Sequence, residues 1–343
     1  MLKISLAKLP ELCASLNKKA ELLVPAKNKA GKVDYKKFSE DVEICLDEKT
    51  SRSAKDIFFP QVENLLKFKA EGKSLSLEQA LPPEHATILF GVRACDARSF
   101  KLLDKVFLAN PVDSYYKARR ENCLIVGLGC SEPEETCFCS TFNIDATSPE
   151  ADINTWLVGE ELYWSPVSEK GQALTEKVAA LFEEADTKPV KEQAQLTKNI
   201  LSLLPLANFK IAEKFTRDEL VTFNSKVWGD LSATCLSCCT CTYVCPTCHC
   251  YDIRDYKTDD NTTERFRCWD SCMASDFTKM AHGNPRKTKL ERFRQRYMHK
   301  LVYFPENNDG DYACVGCGRC LEKCPANLNI VKVAKALEVS DDV

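Results

Sequence analysis

The stretch Cys235–Cys250, CLSCCTCTYVCPTCHC, decides how the chain is read. Cys235, Cys238, Cys241 and Cys245, followed by Pro246, have the spacing C-x2-C-x2-C-x3-C-P that wraps a cubane iron–sulfur cluster. The run recurs downstream as CVGCGRCLEKCP, with Cys314, Cys317, Cys320 and Cys324 ahead of Pro325. In two-cluster ferredoxins the three closely spaced cysteines hold one cluster, and the fourth, before proline, reaches across to the other. The spacing therefore predicts one [4Fe-4S] cluster on Cys235, Cys238, Cys241 and Cys324, and a second on Cys314, Cys317, Cys320 and Cys245. For that to happen the two runs have to pack as a pseudo-symmetric pair, with residues 246–313 leaving the module as an insertion and returning to it.

A chain of 343 residues is far longer than a bare ferredoxin and has room for two or three compact units. Its 20 cysteines fall in metal-ligand spacings. The opening MLKISLAKLPELCASL has no apolar segment of signal-peptide type. Together these point to a reducing compartment and a cytoplasmic protein. The most apolar stretches, ATILFGV and CLIVGLGC, have strand length, well short of the roughly 18 residues of a membrane span. A net charge of −3 leaves no global nucleic-acid footprint.

The expected fold class is α+β. An N-terminal α/β domain over residues 1–186 is followed by a helical linker, 187–230, and a ferredoxin-like two-cluster domain, 231–343, with its insertion at 246–313. The N-terminal region reads as a short helix over Lys3–Asn17 interrupted near Pro10, a strand at ELLVP, and a helical pattern in Val62, Leu65, Leu66 and Phe68. A strand at Thr87–Val92 then turns at Arg93–Asp96 into a helix through Phe107, and a second strand covers Leu124–Leu128. Asn154–Pro166 reads as a hairpin. Lys170–Asp186 and Lys191–Phe215 read as helices with a break at Thr187–Val190. Cys13 and Cys45 stand singly in periodic segments and read as core residues.

Turns at the carboxyl ends of strands are where α/β domains place their sites. Cys95 follows the first apolar strand, and Cys130, Cys137 and Cys139 follow the second, so the four thiols have a common meeting place. C-x6-C-x-C is not a ferredoxin run. Spacing alone leaves open a third cluster, a zinc site, or buried and redox-active thiols. Within the insertion, Cys248, Cys250, Cys268 and Cys272 are a candidate further set, weighed against simple packing, while Cys239 reads as a non-ligand. His249 is read as a hydrogen-bonded or solvated histidine ahead of a cluster-tuning or proton-relay role. The segment His282–Lys300 carries Arg286, Lys287, Lys289, Arg292, Arg294, Arg296 and Lys300 against the single acid Glu291. It suits either a docking face for an acidic partner or a solvated helix face that offsets negative clusters. No G-x-G-x-x-G follows a strand and no G-x4-G-K-[ST] is present, so neither flavin nor nucleotide is expected in this chain and no catalytic residue is assigned.

GVRACDARSF at Gly91–Phe100, CSEPEETCFCS at Cys130–Ser140, CPTCHCYDIRD at Cys245–Asp255, RCWDSC at Arg267–Cys272, NPRKTKLERFRQRYMHK at Asn284–Lys300 and the second cysteine run carry a resemblance that extends over nearly the whole chain. In these motifs the sequence resembles the iron–sulfur beta subunits of soluble archaeal sulfhydrogenases and the corresponding iron–sulfur subunit of anaerobic sulfite reductase. The resemblance implies an N-terminal α/β region, a ferredoxin-like module, and a third cluster on Cys95, Cys130, Cys137 and Cys139. It also implies two partners: one that binds flavin and NAD(P), and a catalytic partner of hydrogenase, sulfite reductase or heterodisulfide reductase type. This chain would relay electrons between them without catalysis of its own. Cys268 departs from the pattern, standing where an aromatic residue is expected. Two other functions remain in view: an oxidoreductase that reduces a small oxidant at the N-terminal thiols, and a zinc-stapled interaction protein.

Overall fold

The computed structural model describes residues 1–81, 84–211 and 219–339. An eight-stranded mixed sheet forms the N-terminal body, in the order β10-β1-β9-β8-β7-β6-β2-β3. Its strands are β1 (Leu2–Ser5), β2 (Glu21–Lys27), β3 (Val33–Lys37), β6 (Thr87–Arg93), β7 (Cys123–Leu128), β8 (Ile153–Val158), β9 (Glu161–Pro166) and β10 (Glu183–Glu184). The four central strands, β2, β6, β7 and β8, run parallel. Parallel strands are covered on both faces, which is why β6 and β7 read as unbroken apolar runs. Ile88 and Phe90 pack on one face with α1 (Leu9–Asn17), and Leu89 and Val92 on the other with α2 (Ala94–Phe107) and α3 (Ser114–Glu121). A register shift between Phe90 and Val92 puts Val92 on the face of Leu89, where strict alternation would set it opposite.

The expected strands at ELLVP, Thr87–Val92 and Leu124–Leu128 and the hairpin β8–β9 are all present. The N-terminus differs from its reading. Residues 2–5 form a strand that lies between β9 and β10, and Pro10 occupies the first turn of α1, where its missing N–H costs nothing. Lys170–Asp186 is helical only over α4 (Glu169–Glu176). Phe182, with its ring 5.1 Å from that of Trp164, then brings the chain back to pair as β10 with β1. The next helix, α5, runs Lys188–Leu203 with Pro189 in its first turn, and residues 212–215 of the expected helix lie outside the described residues.

A larger difference lies at Val62–Phe68, which is a strand. β4 (Val62–Glu71) and β5 (Ser74–Gln79) form a hairpin extended by β12 (Thr262–Trp269) and β11 (Tyr251–Lys257), in the order β11-β12-β4-β5. Leu66 pairs with Arg265 and Asn64 with Phe266, so Leu65 is a bulge. The bulge slips the alternation by one residue and gives the apolar positions a helix-like spacing. The insertion thus returns through the N-terminal body. Glu63 is buried at this junction and accepts from Arg119 and Arg267, while Arg267 also donates to Asp113. The Arg267 guanidinium lies over the Phe59 ring, 5.2 Å from its centroid.

The C-terminal module has its own apolar core, built on Trp228, Phe293, Tyr297, Leu301, Val333 and Leu337. A further cluster, including Ala94, Leu102, Cys139, Phe304 and Val315, joins it to the carboxyl end of the parallel strands.

Candidate iron–sulfur centres

The two cysteine runs have the same backbone conformation. Two residues after the first cysteine of each run, Ser237 and Gly316 have φ of 52° and 60°; two residues further on, Cys239 and Gly318 have φ of 62° and 78°. Each of the latter is the N-cap of a four-residue helix, Thr240–Tyr243 or Arg319–Glu322. These left-handed residues let each loop turn back on itself, and Cys239 lines the same cavity as its neighbours Cys238 and Cys241. Left-handed backbone costs a non-glycine residue about 1–2 kcal/mol, and the first run bears that cost at Ser and Cys. The second uses glycine because another loop lies on it. A Cβ at Gly316 would stand 2.4 Å from the Phe138 carbonyl oxygen, and one at Gly318 2.4 Å from Thr136 Oγ1. Phe138 N–H donates to Gly316 O at 2.9 Å, so the Thr136–Cys139 backbone is seated directly on the second run. Gly316→Ala is expected to destabilise the protein by about 2–3 kcal/mol through this collision, whereas Ser237→Ala, which removes a buried hydroxyl that makes no hydrogen bond among the described residues, should change stability by about 1 kcal/mol or less. Chemical denaturation of the two variants would check the contrast.

Cys235, Cys238, Cys241 and Cys324 line one cavity together with Arg296. Backbone N–H groups point at two of these sulfurs, Ser237 N at 3.4 Å from Cys235 Sγ and Leu328 N at 3.2 Å from Cys324 Sγ. Cys238 is exposed, and its hydrogen bond with Thr240 pulls its pKa down.

Cys245, Cys314, Cys317 and Cys320 gather in the module's interior, where burial pushes Cys314 up to about 12 and raises Cys317 and Cys320 as well. Cys245 goes the other way. Hydrogen bonding from Cys248, with the nearby Lys300 ammonium, holds it well below the ordinary thiol range. Lys300 Nζ lies 3.4 Å from Cys245 Sγ, 2.9 Å from Thr247 Oγ1 and 2.8 Å from Ala313 O.

Cys95, Cys130, Cys137 and Cys139 line a single cavity at the carboxyl ends of β6 and β7, with Lys49, Arg93 and Cys317 in the same wall. Burial raises all four thiols, Cys139 to about 12. A buried thiol whose pKa is raised needs a cation to ionise, and iron or zinc supplies one. Around this cavity Arg319, fully buried, makes two 2.7 Å bonds to Asp96, and Lys49 pairs with Glu134. Arg93 donates to the carbonyls of Leu46, Asp47 and Gly129. Sequence reasoning passes over these residues. The signal for Arg319 is a charged side chain inside a ligand run, which has to be buried with a partner, and Asp96 sits in the strand-end turn that holds Cys95.

Of the four insertion cysteines, Cys248, Cys250 and Cys272 lie near one another and Cys268 does not join them. Cys250 and Cys272 hydrogen-bond to each other, and Cys248 leans on Cys245. Cys268 lies apart, near Asp252, Asp270 and Arg254, because its strand neighbours Arg267 and Trp269 are the ones that turn towards Phe59. His249 is half-buried, its Nδ1 3.0 Å from Thr247 O, and desolvation pulls its pKa down to about 4. Nor is the basic segment a free charged face. Arg292 binds the Met273 and Lys287 carbonyls, Arg294 the Phe223 carbonyl, and Lys289 the Ala233 carbonyl. Arg296 and Lys300 are 2% and 3% exposed.

The 4Fe-4S dicluster domain family matches residues 234–328, which span both runs and the insertion. Among curated proteins, sulfhydrogenase 2 subunit beta of Pyrococcus furiosus is 38% identical over 261 residues, covering 72% of this chain and 72% of that protein. No helix among the described residues is long and apolar enough to cross a membrane. With the paired runs, the dicluster match and this relative, the chain belongs to the family of sulfhydrogenase beta subunits, iron–sulfur electron-transfer proteins of oxidoreductases.

Proposed function

We propose that the chain is a three-cluster relay in a cytoplasmic oxidoreductase complex, passing electrons between a partner that binds flavin and NAD(P) and a separate catalytic partner. The first cluster would be held by Cys235, Cys238, Cys241 and Cys324, the second by Cys314, Cys317, Cys320 and Cys245, and the third by Cys95, Cys130, Cys137 and Cys139. When bound, such clusters supply reversible one-electron storage at thiolate-ligated iron. One observation carries the reading: Cys317, a member of the second set, also lines the third cavity. The thiol sets are therefore contiguous, in the order third, second, first, with Cys245 and Cys324 crossing between the runs. Four thiols for each cluster leave no iron open to a substrate, which favours a relay over catalysis at the N-terminal site. Exposed Cys238 makes the first set the one nearest a docked partner.

Iron and acid-labile sulfide analysis of anaerobically purified protein tests this. About twelve irons with matching sulfide are expected from three four-iron clusters. About eight would remove the third site, and zinc without sulfide would end the relay reading. Anaerobic co-purification should recover a flavoprotein and a catalytic redox protein; recovery of the chain alone would overturn the assignment of partners.

A further inference from the structure

The basic segment places two of its cations in the interior. Arg296, on the helix Lys289–Met298, lines the first cavity, and its nearest thiols include Cys241 of the first set and Cys320 of the second. Its Nη2 donates to Cys241 O at 3.3 Å. Its Nε and Nη1 are buried with no acceptor among the described residues. An unpaired buried guanidinium N–H is costly unless a negative group occupies the space it faces. Lys300 follows four residues later on the same face, where the helix continues as a π-helical turn, His299–Tyr303, and it lies against the Cys245 sulfur. No carboxylate pairs with Arg296 or Lys300 among the described residues. Arg319 differs in this respect, since Asp96 neutralises it.

We propose that Arg296 and Lys300 are positioning residues for electron transfer: one helical face carries two uncompensated charges to the ferredoxin pair and raises the reduction potentials of both clusters. The physical step is short. Each added electron makes a cluster more negative, and a cation held close by in a poorly polarisable interior stabilises the reduced form more than the oxidised one. The free N–H groups of Arg296 are suited to cluster sulfurs, and Lys300 acts through the ligand sulfur of Cys245. The helix thus gives the two clusters a common bias, which moves both potentials in the same direction.

The inference rests on the cluster assignment proposed above. It is tested on the full chain by electron paramagnetic resonance during reductive titration of the native protein, Arg296→Gln, Arg296→Lys and Lys300→Met, each with its iron counted. The expected result is unchanged iron, a downward shift in midpoint potential of the ferredoxin-pair signals in Arg296→Gln and Lys300→Met, a smaller shift at the third site, and substantial recovery in Arg296→Lys. Unmoved potentials with full iron would overturn the proposal. So would loss of iron from Arg296→Lys as well as Arg296→Gln, because the side chain would then be holding the fold. Absence of iron and sulfide from the native protein would instead be a failure of the cluster assignment.

Discussion

Cys137→Ser is expected to lower the iron content of the anaerobically purified protein from about twelve to about eight, the loss of one four-iron cluster, and to remove one set of reduced-cluster resonances while the ferredoxin pair keeps its own. Cys137 and Cys139 flank Phe138, whose backbone is anchored on Gly316, so these two sulfurs are fixed towards the third cavity by a loop that serine leaves undisturbed. Burial raises the Cys137 pKa, with the Lys49 ammonium acting against it. The thiol is thus kept neutral until a metal draws off its proton. A serine hydroxyl is harder to ionise and a poorer partner for iron. Retention of about twelve irons would sink the assignment of Cys137 as a ligand, and a fall to about four would mean that the third cavity supports its neighbour's assembly.

Glu63→Gln is expected to destabilise the folded protein by about 3–5 kcal/mol, the range for breaking a buried ion pair from one side. Glu63 serves two guanidinium groups, Arg119 and Arg267, at 4% side-chain exposure. The neutral amide would leave Asp113 as the only negative partner of Arg267, inside an aromatic enclosure of Phe59, Phe107 and Tyr251. Because β4 and β12 meet at this point, the first region to loosen should be the four-stranded sheet. Urea denaturation measures the loss, and limited proteolysis should show cleavage in residues 251–269 before the rest of the chain. A midpoint unchanged from the native protein would show that the network contributes little.

The ferredoxin pair was legible because its ligand spacing is itself the geometry: three cysteines in a tight loop and a fourth before proline leave few ways to wrap a cube. The third set was legible only as strand ends. Cys95 and Cys139 are far apart in sequence, and what unites them is the parallel pairing of β6 with β7. Pairing across the chain was not legible. β4 finds its partner in the insertion, and the bulge at Leu65 disguises its period, so Val62, Leu65, Leu66 and Phe68 imitate a helix. Arg296 and Lys300 were invisible for a different reason. In the sequence they stand in one run with Arg286, Lys287 and Lys289, and nothing in the run itself marks Arg296 and Lys300 as the two cations that turn inward.

The contact of Gly316 with Phe138 also separates the order in which the chain is made from the order in which it closes. Cys95, Cys130, Cys137 and Cys139 are made before residues 314–320, whose Gly316 and Cys317 supply one wall of their cavity. Until that loop packs, the cavity of the four thiols lacks this wall. Packing of that later-made loop supplies the missing wall, so the earlier-made thiols are enclosed by a segment that follows them in the chain.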